Sequence, residues 1–159
     1  MEEKKLAIIA TKGSLDWAYP PFILASTAAA LGYDTQIFFT FYGLQLLKKK
    51  LSLEVTPLGN PGMPMPMGMD KWFPVLGLAL PGMQSMMTAM MKQTMKKKGV
   101  ASIEELRELC IEADVKLIAC QMTVDLFDME TSEFIDGVEY AGAAAFFEFA
   151  GESDICLYI

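Results

Sequence analysis

Apolar and polar positions along the chain fall into blocks whose lengths and flanks separate strands from helices. Leu6 to Thr11, Thr35 to Phe41, Val115 to Cys120 and the closing DICLYI are short apolar runs rich in β-branched or aromatic residues, the composition of strands buried on both faces. Longer stretches between them read as helices. Trp17 to Leu31 is apolar and alanine-rich, has Pro20 and Pro21 in or near its first turn, and stops at Gly32; Ser14 or Asp16 of the preceding TKGSLD turn can cap it. Leu44 to Lys50 predicts a short helix whose basic end suits the negative carboxyl pole. Ser102 opens SIEELRELCIEA with Glu105 three residues on, a capping box, and Ile103, Leu106, Cys110 and Ala113 share one face. Asp136-Gly137 marks a turn, and Gly142 to Ala150 reads as a last apolar helix. Strand, crossover helix and strand in alternation predict an α/β fold with parallel pairing and right-handed connections.

Within that pattern one stretch combines structure with chemistry. Cys120 closes the run VKLIAC, and Gln121, Met122 and Thr123 follow, with Thr123 a candidate N-cap and Asp125 in the first helical turn. The thiol thus falls between the carboxyl end of a strand and the amino end of a helix, where open α/β sheets keep their ligands. A helix amino terminus favours an anion by roughly 0.3–2 kcal/mol, so Cys120 is a candidate reactive thiolate, set against its reading as a small buried hydrophobe. Cys110 sits on the apolar face of its helix and Cys156 inside a strand, positions that read as packing.

The 159 residues contain no histidine, which removes Ser-His and Cys-His catalysis, histidine-ligated metals and imidazole acid/base chemistry. Three cysteines without CxxC spacing fit neither a disulfide framework nor a zinc site, and predict a reducing compartment. MEEKK followed by LAIIAT predicts no signal peptide. The net charge of −7 argues against nucleic acid as a partner. With 53% hydrophobic residues the chain is more apolar than an average soluble domain, which predicts a homo-oligomer interface or contact with a membrane surface.

The middle of the chain differs in kind. Between Gly43 and Gly99 eight lysines face only Glu54 and Asp70, whereas Val100 to Ile159 carries fourteen acids against Arg107 and Lys116. Ten of the thirteen methionines lie between Met63 and Met95, and Trp72 to Met91 holds no charged residue over a length that would admit a membrane span, although its prolines and glycines weaken that reading. A helix from about Met83 to Lys98 burying its methionines in an oligomer, the same helix lying on lipid, and Cu(I) held by the thioethers of Met63, Met65, Met67 and Met69 are the further readings.

Several thiol chemistries lack their partners here. Leu117, rather than threonine or serine, stands three residues before Cys120, no dithiol motif is present, and no arginine follows the cysteine. A single thiol that accepts and passes on sulfur by nucleophilic exchange remains, and such a carrier needs no metal or other cofactor. TKGSLD has a single glycine and matches no phosphate-binding loop.

The segments TKGSLDWAYPPFILASTAAALGYDTQIFFTFYGLQLL, LPGMQSMMTAMMK, LIACQM and FIDGVEYAGAAAFFEFA, in this order, resemble the DsrE-like sulfur carriers, in particular the subgroup with membrane-linked members. The resemblance runs through nearly the whole chain. It implies a single three-layer α/β/α domain over 1–159 with a mostly parallel sheet of about five strands, a Pro/Gly/Met-rich insertion around 57–84, homo-oligomers, and a cysteine, here Cys120, that carries sulfur as a persulfide or thiosulfonate. The expected function is therefore a cytoplasmic sulfur carrier of sulfurtransferase type. Cys120 is the sulfur-bearing residue, while Lys12, Gln121, Met122 and Thr123 bind the anionic form, and sulfur-donor and sulfur-acceptor proteins, thiosulfate or polysulfide are the partners. The rival expectation is a non-catalytic adaptor whose Met-rich basic segment docks on the inner face of a membrane or on an acidic protein.

Overall fold

Phe38 and Phe39 are consecutive on one strand, so their rings point to opposite faces of the sheet, and each meets a phenylalanine from a different helix. That pair of contacts defines the layers. The computed structural model describes residues 4–57 and 80–159, whose strands are β1 (Lys5–Ala10), β2 (Asp34–Phe39), β3 (Lys116–Cys120), β4 (Glu139–Ala141) and β5 (Ile155–Tyr158). All pairings are parallel and the order across the sheet is β4-β3-β2-β1-β5.

The described residues divide into two compact units. The first comprises residues 4–13, 17–52 and 102–159 and contains the sheet. On one face α1 (Leu15–Ala30) brings Phe22 to within 5.9 Å of the Phe39 ring, and α3 (Ile103–Glu112) joins it through Cys110 Sγ, 3.5 Å from the Phe22 carbonyl oxygen. On the other, α5 (Ala143–Ala150) sets Phe146 5.2 Å from Phe38. Each buried phenylalanine stabilises the fold by about 1.5–3 kcal/mol relative to exposure, which is why an apolar run too short to be amphipathic still specifies a strand. The capping box of α3 forms as the sequence requires: Glu105 N donates to Ser102 Oγ at 3.2 Å, and Ser102 N to Glu105 Oε2 at 2.7 Å.

The second unit comprises 14–16, 53–57 and 80–101. Its helix α2 (Met83–Lys97) is stitched to the extended stretch before it: Val55 N donates to Thr88 Oγ1 at 3.0 Å and Gln84 Nε2 to the Val55 carbonyl at 2.8 Å. Met87 is buried and Met86 is exposed. No helix among the described residues is long and apolar enough to cross a membrane. Most of the 57–84 insertion, and the whole of Met63, Met65, Met67 and Met69, lies outside the described residues.

Two local features differ from the pattern reading. The helix expected over 44–50 is a 3-10 turn over Phe41–Leu47, three residues earlier, because it folds back across the end of β1: a Cβ on Gly43 would strike the Ala10 carbonyl oxygen, and one on Gly13 the Tyr42 carbonyl oxygen. Glycine at both positions permits that approach. Strand β4 is only three residues long, too short to carry an alternating pattern.

Candidate functional site

Because every strand is parallel, all five carboxyl ends lie along one edge of the sheet. Cys120 is the last residue of β3, one of the three inner strands, and pairs there with Ala141. Its extended backbone, φ −66° and ψ 111°, makes it the N-cap of α4 (Gln121–Leu126), so the strand turns into the helix at the thiol itself. The side chain is 5% exposed and belongs to an apolar cluster with Ala7, Phe38, Ile118 and Phe146.

The helix amino terminus expected to favour an anion at the sulfur gives it no hydrogen bond, since Cys120 makes no side-chain capping hydrogen bond with α4. The side chain packs with Ala7, Phe38, Ile118 and Phe146. The other two thiols are placed differently: Cys156 is exposed on the edge strand β5, and Cys110 is fully buried, with burial pushing its thiol up to about 12.

Thr123 is not the N-cap that its sequence position suggests. It is fully buried one turn into α4, its Oγ1 lies 3.2 Å from Thr40 Oγ1, and it accepts a 3.3 Å hydrogen bond from Phe41 N. The hydroxyl therefore ties α4 to the segment leaving β2. Phe41 needs that tie, because its φ of +49° is the left-handed conformation, costing of order 1–3 kcal/mol for a bulky side chain. Thr123→Val should lower unfolding stability by about 1–3 kcal/mol in chemical denaturation, because the Phe41 amide loses its acceptor, whereas Thr123→Ser should keep most of it.

The remaining predicted residues divide. Gln121 and Met122 adjoin Cys120 in sequence and are exposed; Gln121 Nε2 donates to Asp125 Oδ1 at 2.8 Å, within α4. Lys12 follows β1, two strands from β3, with its Nζ 3.2 Å from the centre of the Trp17 ring in a cation–π contact. Gln121, Met122 and Thr123 thus lie on the helix that Cys120 caps, and the Lys12 ammonium lies on the Trp17 ring.

Two groups near this edge escaped sequence reasoning. Arg107 is buried on α3 and donates through Nη1 to the carbonyls of Leu46 and Lys48, at 2.9 and 2.8 Å, fixing the 3-10 turn. Phe41, Tyr42 and Phe127 form an aromatic group, with Phe127 6.2 Å from Phe41 and 6.0 Å from Tyr42 between ring centres. The only signal for Arg107 was its solitude, since it is the one arginine in the chain.

Comparison with known proteins adds a second line of observation. Residues 2–158 match the model of the DsrE/DsrF/DrsH-like family. A protein of Allochromatium vinosum, named sulfur carrier protein DsrE2, is 91% identical over 159 residues and spans the full length of both chains. The uncharacterized protein YrkE of Bacillus subtilis is 35% identical over 164 residues, covering 99% of this chain and 98% of its own. Among solved structures, the ychN protein from E. coli aligns over 98% of this chain and 99% of its own, with a TM-score of 0.55 at 13% identity, a likeness of fold.

Proposed function

Since this chain belongs to the DsrE/DsrF/DrsH-like family over residues 2–158, we propose that it is a sulfur carrier that accepts and relays sulfane sulfur on Cys120. The observation that carries the reading is the position of Cys120 at the carboxyl end of an inner parallel strand, at the turn into the next helix, where α/β sheets present their reactive groups. The name of the Allochromatium vinosum relative supports the carrier role.

The exchange is balanced without a cofactor. Cys120, as thiolate, attacks the outer sulfur of a donor persulfide, R–S–SH. A new sulfur–sulfur bond forms on Cys120 while the donor's bond breaks, and the donor leaves as the thiolate RS⁻ with the bonding pair. The outer sulfur keeps its proton, and no net oxidation or reduction occurs. Delivery to an acceptor thiolate is the same step reversed. Burial of the Cys120 side chain gives the carried sulfur an apolar shelter from free thiols in solution, and exchange then requires α4 to yield at its amino end.

Intact-mass measurement with peptide mapping after exposure to inorganic polysulfide tests the proposal. The expected result is a sulfur adduct on the peptide holding Cys120. Adducts confined to the exposed Cys156 would overturn it.

A further inference from the structure

Several of the large apolar side chains left uncovered near the carboxyl edge of the sheet are grouped. Phe41 and Tyr42, 43% and 65% exposed, meet Phe127, 41% exposed, in the aromatic group described above. Met122 and Leu126, four residues apart on α4, present a second ridge alongside, exposed by 62% and 58%. Phe41 is held in a costly backbone conformation with its ring half in water, and its amide bonds to Thr123 on the helix that Cys120 caps, a strained position of the kind that functional surfaces keep.

The charged side chains that adjoin the patch on α4 and just after it are both acidic. From Leu117 to Ile159 the chain carries nine carboxylates and no lysine or arginine, and Asp125 and Asp128, both exposed, flank the aromatic and methionine ridges. Of the cations in neighbouring segments, Lys48 pairs with Glu133 at 2.9 Å, Lys12 lies on Trp17 and Arg107 is buried on carbonyls, while Lys49 and Lys50 are exposed beyond the far end of the 3-10 turn.

We propose that Phe41, Tyr42, Phe127, Met122 and Leu126 form the docking surface for the protein that exchanges sulfur with Cys120, and that this partner offers an apolar tip flanked by lysines or arginines. The inference rests on the carrier reading and names the class of partner for it. Aromatic and methionine side chains are the usual anchors of such contacts, and an acidic surround steers a basic partner while repelling an acidic one. An anionic lipid surface would meet the same repulsion.

Two synthetic peptides test the proposal, each with one cysteine persulfide between leucines, one flanked by lysines and the other by glutamates. Sulfur transfer to the full-length protein is followed by the mass of the Cys120 peptide. The lysine peptide should load Cys120 about tenfold faster at low ionic strength, an advantage that shrinks as salt screens the surface. Asp125→Lys with Asp128→Lys should reverse the order. Tyr42→Ala with Phe127→Ala should slow both peptides while inorganic polysulfide loads at the wild-type rate. Equal rates for the two peptides at low salt would overturn the proposal, as would aromatic variants that slow polysulfide equally. A changed sedimentation coefficient in those variants, with peptide transfer intact, would also overturn it and make the patch an interface between copies of this chain. Failure of every donor, polysulfide included, to load Cys120 would instead remove the carrier reading itself.

Discussion

Cys120→Ser should accept no sulfur from polysulfide at a rate that competes with the wild type, a loss of at least about a hundredfold, while the protein stays folded. Serine is close in volume to cysteine but is a far weaker nucleophile at neutral pH, so the exchange loses its attacking atom. Its hydroxyl would sit among Ala7, Phe38, Ile118 and Phe146 without a partner, a cost of about 1–3 kcal/mol that a calorimetric melt should register. The other thiols serve as internal controls. Cys110 should remain unmodified at neutral pH, because burial pushes it up to about 12 and leaves almost no thiolate, and its labelling should rise only as pH approaches that value. Cys156 is exposed and should be open to alkylating agents, in the variant as in the wild type. Persistence of the full adduct in Cys120→Ser would transfer the chemistry to one of these and end the case for the strand-end thiol.

Arg107→Leu should cost about 2–4 kcal/mol of stability, read from urea denaturation. The guanidinium is buried and satisfies the carbonyls of Leu46 and Lys48, so leucine leaves both without their donor, at about 1–3 kcal/mol for a fully buried group and less for the part-buried one. Burial lowers the guanidinium's affinity for its proton, while Glu104 and Glu108 on the same helix raise it, so the cation is held in place partly by its own acidic turn. Arg107→Lys should recover only part of the loss, since the shorter lysine side chain must bring its ammonium to the place where a single Nη1 now donates to both carbonyls. The effect should reach the site: the turn that Arg107 fixes begins at Phe41, so amide exchange at Phe41 should quicken in the leucine variant. Unchanged stability in Arg107→Leu would show that water replaces the guanidinium without cost.

Strands β1, β2 and β3 were legible because each is an apolar run largely buried on both faces, and Cys120 stood visibly at the end of one. Helix α3 was legible to its cap, since Ser102 and Glu105 satisfy each other locally and need nothing from the rest of the fold. What escaped depends on contacts between distant segments. Thr123 reads as a cap by composition, yet the helix starts three residues earlier, at the strand end, and its hydroxyl is consumed by Thr40 and Phe41, more than eighty residues away. Phe41 reads as the end of a strand, and no propensity anticipates a phenylalanine at positive φ. Strand β4, with an exposed glutamate first of its three residues, exists because β3 offers it a partner. The aromatic group at the sheet edge could be read only once Phe127 and Phe41 were in contact.

Strand β1 has β2 on one side and β5 on the other, and a hydrogen bond beside the second pairing joins Lys5 to Asp154, 149 positions apart. During synthesis β1 must therefore wait, with one flank open, until β5 emerges some 149 positions later. Pairings of such long range are slow to nucleate. The nascent polypeptide passes through a stage in which β1 offers an unpaired edge to any neighbour, so its yield in a crowded translation system should depend on how promptly chaperones shield that edge.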